Sequence, residues 1–221
     1  MKALGFCIVL LFATDLHGAA FRGIRAPVSP ALASRMRLYS WREGCPTAIA
    51  DLVYLRLSHY GYDGAVHDGE LVVHKDVADQ VLTIFKALFD QHFPIEKMRV
   101  IDDYQGSDDA SMADNNTSGF NCRFVAGKPS IFSKHSQGRA IDINPRTNPV
   151  VTADKISPPA GAEFLDRRKN TVGILHAGDP AVLEFTRRGW TWGGTWISMK
   201  DYQHFEKSID QTPTPKGDWS P

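Results

Sequence analysis

An α+β fold, built as a single domain with one small antiparallel sheet flanked by helices, is what the sequence predicts. Three observations lead there. The chain has 221 residues, 43% of them hydrophobic, which suits one core. Strand-like and helix-like segments are both present but do not alternate regularly. No internal repeat recurs along the chain, so a solenoid is excluded. Twenty-five basic side chains face twenty-five acidic ones with no Lys/Arg block. That balance argues against nonspecific binding to nucleic acid or a membrane surface.

The N-terminus reads as an address. Met1 and Lys2 give a positive start, Ala3 to Ala13 form an apolar run, and Gly18, Ala19 and Ala20 supply small residues for cleavage. The run is too short to cross a bilayer core of about 30 Å. Residues 1–20 are therefore expected to be a signal peptide, with no membrane contact after cleavage and a periplasmic or extracellular destination. Cys7 leaves with it, and Cys45 and Cys122 remain, 77 residues apart. An oxidising compartment favours a disulfide between them; two buried thiols are the alternative.

Residues 21–44 read as a lead-in segment that Pro27 and Pro30 break up, and residues 45–207 as the domain. Pro46 to Val53 suggests a short helix. Tyr54 to His59 alternates as a strand would, and Glu70 to His74 is a second candidate. From Asp76 to Phe93 the residues Val77, Val81, Leu82, Phe85, Leu88 and Phe89 form one apolar stripe, predicting a helix that Pro94 stops. Met98 to Ile101 reads as a strand. Ser107 to Gly119 is polar and predicts a surface loop, within which Asn115-Asn116-Thr117 and Asn116-Thr117-Ser118 match glycosylation sequons. Asp179-Pro180 opens a second helix, and Gly189 closes it after Arg187 and Arg188. Residues 208–221 are proline-rich and read as a frayed tail.

Chemistry concentrates in two places. From Arg139 to Asn144 the side chains alternate, which puts Asp142 between Ile141 and Ile143 and within reach of His135. A carboxylate in such company needs a partner, either a metal shared with His135 or His135 itself through a hydrogen bond. The second place is the run Gly189-Trp190-Thr191-Trp192-Gly193-Gly194-Thr195-Trp196 followed by Asp201-Tyr202-Gln203-His204-Phe205-Glu206. The tryptophans suit a walled cleft or a core beside turns. His204 would complete a His, Asp, His set that leaves a position open for water. Asp201 and Glu206 both lie close enough in sequence to serve as base, and Glu206 could instead orient His204.

These segments resemble the LAS-type zinc peptidases that cut peptidoglycan stem peptides. That group contains VanY-like D-alanyl-D-alanine carboxypeptidases, D-Ala-D-Ala dipeptidases and phage L-alanyl-D-glutamate endopeptidases. The signature Ser-x-His-x-x-Gly-x-Ala-x-Asp is matched by Ser133, His135, Gly138, Ala140 and Asp142, and Asp201-Tyr202-Gln203-His204 follows. Phe120-Asn121-Cys122-Arg123 and Asp142-Ile143-Asn144-Pro145 extend the likeness.

The resemblance implies one zinc ion held by His135, Asp142 and His204 at the sheet cleft, with Asp201 as base. It implies that Arg123 polarises the scissile carbonyl, that Ser133 helps to position substrate and that Glu206 supports His204. The expected function is a secreted, monomeric zinc metallopeptidase acting on peptidoglycan stem peptides, as a D-Ala-D-Ala carboxypeptidase or an L,D-endopeptidase. The alternative is a catalytically silent, zinc-containing cell-wall-binding module on the same fold. Retention of Asp201 and Arg123 beside a full ligand set favours the enzyme.

Overall fold

The structure is a computed structural model that describes residues 19–208. The signal-peptide reading for residues 1–20 and the tail reading for 208–221 thus fall almost wholly outside the described residues. The first half runs β1 (Gly23–Pro27), α1 (Pro30–Tyr39), β2 (Leu52–Tyr60), β3 (Val66–His74), α2 (Ala78–Asp90), β4 (Lys97–Met98), α3 (Asp108–Ala113) and β5 (Asn116–Thr117). The second runs β6 (Phe124–Val125), β7 (Lys128–Phe132), β8 (Ala140–Asp142), β9 (Val150–Val151), β10 (Ile156–Ser157), α4 (Pro180–Thr186), β11 (Thr191–Trp192), β12 (Lys200–Asp201) and β13 (His204–Glu206).

Helix and strand are mixed as the α+β class requires, but the single antiparallel sheet is not what forms. Among the described residues there are five small sheets: β1-β2-β3, β10-β9-β12, β11-β13-β8, β4-β5 and β6-β7. The β4-β5 pair is parallel. Most of these strands are two or three residues long, too short to build one continuous sheet. No helix among the described residues is long and apolar enough to cross a membrane.

Residues 21–44 do not form a broken lead-in. Pro27 ends β1, which pairs antiparallel with β2 from Gly23↔Leu57 to Pro27↔Val53. Pro30 opens α1, where its missing N–H costs nothing, and the Ser29 hydroxyl caps the helix by accepting from Leu32 N–H. The helix expected from Pro46 to Val53 shrinks to one 3₁₀ turn at Ile49–Asp51, because β2 already begins at Leu52. Lys97–Met98 is a strand, but Ile101–Tyr104 turns as a 3₁₀ helix.

The core has two parts. The larger packs α2 (Val81, Leu82, Ile84, Phe85, Leu88) on the inner face of β2-β3 (Leu55, Leu57, Leu71, Val73), with Ile141, Ile143, Phe185 and Phe205 beneath it. Phe185 and Phe205 stack with ring centroids 4.0 Å apart. Each such fully buried side chain contributes roughly 1.5–3 kcal/mol from burial alone. This cluster forms the floor under β8 and β13. The smaller part lies on the other side of the sheet, where Met36 of α1 meets Leu52, Val72, Val100 and Phe120. Cys45 and Cys122 are bonded there, with Cα atoms 6.1 Å apart.

The segment expected to be a surface loop at Ser107 to Gly119 is instead α3 and β5. Asn115, Asn116 and Thr117 are wholly buried. Asn115 Oδ1 accepts from Arg146 N–H and Thr147 N–H, and Asn116 Nδ2 donates to Ser111 Oγ and Arg99 C=O. Their amides therefore act as interior connectors, which polar composition alone cannot distinguish from surface.

Candidate metal centre

Asp142 sits in the middle of a three-way pairing. On one side β8 pairs with β13, so that His204 lies opposite Asp142, Phe205 opposite Ile141 and Glu206 opposite Ala140. On the other, Ser118 and Asp142 exchange N–H···O=C bonds of 3.0 Å in both directions. Isoleucines 141 and 143 go down into the core, and the carboxylate goes up toward two imidazoles. His135 arrives from a 3₁₀ turn at Lys134–Gln137, closed by Gly138 at φ 64°. A Cβ on Gly138 would lie 2.6 Å from His74 N, so only glycine fits there.

Asp142 Oδ1 is 2.9 Å from His204 Nδ1, and Asp142 Oδ2 is 3.1 Å from His135 Nε2. The two ring nitrogens are themselves 3.3 Å apart. One donor atom from each of the three buried residues lies within 4.8 Å of the others. The outer ring nitrogens are taken: His135 Nδ1–H donates to Gly119 C=O at 2.6 Å, and His204 Nε2–H donates to Glu206 Oε2 at 3.2 Å. Both imidazoles are thereby turned so that their inner nitrogens face the carboxylate. Two imidazole nitrogens and a carboxylate oxygen suit zinc and leave a coordination position over, so the residues fit the ion.

The electrostatics are tight. Burial would raise the Asp142 carboxyl, but the charges of His135 and His204 and their hydrogen bonds outweigh it and hold it well below the usual carboxylate range. Burial would lower His204, yet Asp142 and Glu206 together lift it to about 10. Asp201 differs. Burial pushes its carboxyl up to about 6, the Asp142 charge adding to the rise and His204, His135 and Arg123 opposing it. Its Oδ1 is shut from solvent with no hydrogen-bond partner. Asp201 lies in β12, opposite Val150 of β9, and Gly193 packs on it so closely that a Cβ would lie 2.6 Å from Asp201 C=O.

The remaining predicted residues take distinct positions. Glu206 touches His204, as described, and not the inner nitrogens. Ser133 is buried, and its hydroxyl accepts from His135 N–H at 3.2 Å, so it caps the turn that presents His135. Arg123 stands apart from the three ligands, its guanidinium 2.9 Å from Asp108 Oδ2 and its Nε without a partner. The tryptophans divide between the two expected uses: Trp190 and Trp192 belong to the core, while the Trp196 ring lies 5.5 Å from the His204 ring.

Sequence reasoning missed Gly119, Ser136 and Asp108. Gly119 contributes a backbone carbonyl, which no residue type announces. A Cβ there would lie 2.5 Å from Val72 C=O. The Ser136 hydroxyl accepts from Arg123 N–H at 2.9 Å and donates to Arg123 C=O at 2.7 Å.

Residues 126–207 match the family model described as D-alanyl-D-alanine carboxypeptidase. The matched segment contains His135, Asp142, Asp201 and His204; Arg123 lies just ahead of it. No curated protein and no solved structure gives a match.

Proposed function

We propose that this chain, whose residues 126–207 match the family model described as D-alanyl-D-alanine carboxypeptidase, is a secreted zinc peptidase that hydrolyses peptidoglycan stem peptides. The observation that carries the reading is the convergence of the His135, Asp142 and His204 donor atoms, and a buried Asp201 oxygen without a hydrogen-bond partner, whose carboxyl feels the charges of all three, accompanies it. Secretion is supported by the address-like N-terminus and by the Cys45–Cys122 bond, which suits an oxidising compartment.

A zinc ion held by the three ligands supplies Lewis-acid polarisation of the scissile carbonyl and an acidified water. Asp201 is the general base, taking the proton of the attacking water on its free oxygen and returning it to the leaving amine. Arg123 brings positive charge to the carbonyl oxygen as it becomes an oxyanion. Glu206 keeps the His204 ring turned for ligation. No acyl-enzyme is required, since a water is the nucleophile.

The test is digestion of purified muropeptides by the zinc-loaded protein, read by mass spectrometry, with Asp201→Ala alongside. Loss of a terminal D-alanine is the carboxypeptidase outcome, and cleavage within the stem is the endopeptidase outcome. Asp201→Ala should lose about 10²–10⁴ in kcat while still binding zinc. No mass change from the wild-type protein with zinc bound would replace the enzyme with the cell-wall-binding module.

A further inference from the structure

We propose that Asp108 is a positioning residue for Arg123, fixing the direction in which its guanidinium is held. The inference rests on the peptidase reading and adds to it a residue outside the family-matched segment, on the short helix α3.

Arg123 is hydrogen-bonded at its backbone and paired at its tip. The Ser136 hydroxyl bonds both its N–H and its C=O, and Ser133 N–H donates to the same carbonyl at 3.0 Å. Because Ser133 and Ser136 flank His135, the Cα of Arg123 is tied to the ligand turn. Beyond Arg123 the chain enters the β6-β7 hairpin, where Phe124 and Lys128 to Ile131 are exposed. The Nε is buried and unpartnered. The guanidinium meets a countercharge in Asp108, whose Oδ2 lies 2.9 Å from one of its terminal nitrogens.

Asp108 is itself well anchored. It opens α3, which is capped by the Ser107 hydroxyl on Ala110 N–H at 3.2 Å. At the far end, Ser111 Oγ accepts from the buried Asn116, and Asp114 takes Tyr104 Oη–H at 2.7 Å and pairs with Lys97. A carboxylate on a braced helix therefore sets the direction of the guanidinium fork. The charge of the guanidinium it directs opposes the upward shift of the Asp201 carboxyl. One terminal nitrogen is engaged by Asp108, which leaves other donors of the fork for a carbonyl oxygen. A misplacement of about 1 Å at such a group can cost on the order of a hundredfold in rate.

The experiment uses the zinc-loaded full chain with Asp108→Asn, Asp108→Glu, Arg123→Ala and the Asp108→Asn/Arg123→Ala double variant. On muropeptides, Asp108→Asn should lower kcat about tenfold, with KM within about twofold and zinc content unchanged. Asp108→Glu should recover most of the loss, and Asp108→Asn should cost nothing further once Arg123 is alanine. Full kcat in Asp108→Asn, or an equal loss in the Arg123→Ala background, would overturn the proposal. A second readout needs no turnover: the Arg123 Nε–H resonance, assigned by its absence in Arg123→Ala. It should move and broaden in Asp108→Asn, and an unchanged resonance would again overturn the proposal. If the wild-type protein cleaves no muropeptide, the functional reading falls, while this resonance still decides whether Asp108 holds Arg123.

Discussion

Asp142 illustrates how much of the centre is written at the level of single residues. A carboxylate between two isoleucines is costly to bury unless cations or donors meet it, and His135 and His204 do. Side chains whose type announces their chemistry are legible in this way: two histidines, two aspartates and a conspicuous spacing. Gly119 and Asp108 are not, because one acts through a backbone carbonyl and the other looks like any surface carboxylate on a helix. Glu206 allows a test at this scale. Its hydrogen bond with His204 keeps the Glu206 carboxyl below its ordinary range, so the contact is with a charged acceptor. Glu206→Gln keeps an oxygen but removes the charge, and zinc affinity should fall about tenfold in competition with a chromophoric chelator. Unchanged affinity would mean that the ring needs no help from Glu206.

Elements were legible in proportion to their length and periodicity. α2 carries seven buried residues on one stripe, and the expected span from Asp76 to Phe93 agrees with it to within a turn at either end. The nine-residue strands β2 and β3 are partly legible, β2 through the alternation of Tyr54 to His59 and β3 through the short segment Glu70 to His74. Strands of two residues have no period to read, and α3 has only six residues, mostly small or acidic. β1 and α1 are hidden for another reason: Pro27 and Pro30 look like breakers, whereas a proline can equally end a strand and start a helix. What joins these short pieces is close backbone approach. At Gly119, Phe120 N–H donates to Val72 C=O at 2.8 Å, and the glycine itself has no room for a Cβ. Gly119→Ala should therefore push the segment off β3, costing about 1–3 kcal/mol in urea unfolding and weakening zinc binding as His135 loses its acceptor. A variant with wild-type stability and zinc affinity would show that Val72 gives way freely.

Across the whole molecule, two cores on opposite faces of β1-β2-β3 must form together for the centre to assemble. The larger supports β8 and β13 from below, and the smaller carries the disulfide that ends one residue before Arg123. Stability should also depend on pH through His59, which is buried at the end of β2 with its Nδ1–H directed to Tyr60 C=O at 3.3 Å. Burial pushes the His59 pKa down, and the neighbouring His67 adds to the fall. The unfolded chain takes up a proton as pH drops through about 6.5, while the folded protein resists it. The stability present above that pH is thus lost as pH falls toward the folded value. Between about pH 7.5 and pH 5.5, the urea midpoint of the wild-type protein should drop further than that of His59→Gln. Equal drops would place the titrating group elsewhere. The interior position of Asn115 and Asn116 has a practical consequence for making the protein. A sugar chain attached to either sequon during translocation would have to occupy space filled by Glu96, Arg146 and Ser111. Production in a host that glycosylates its secreted proteins would then yield chains barred from folding, whereas a bacterial host avoids that trap.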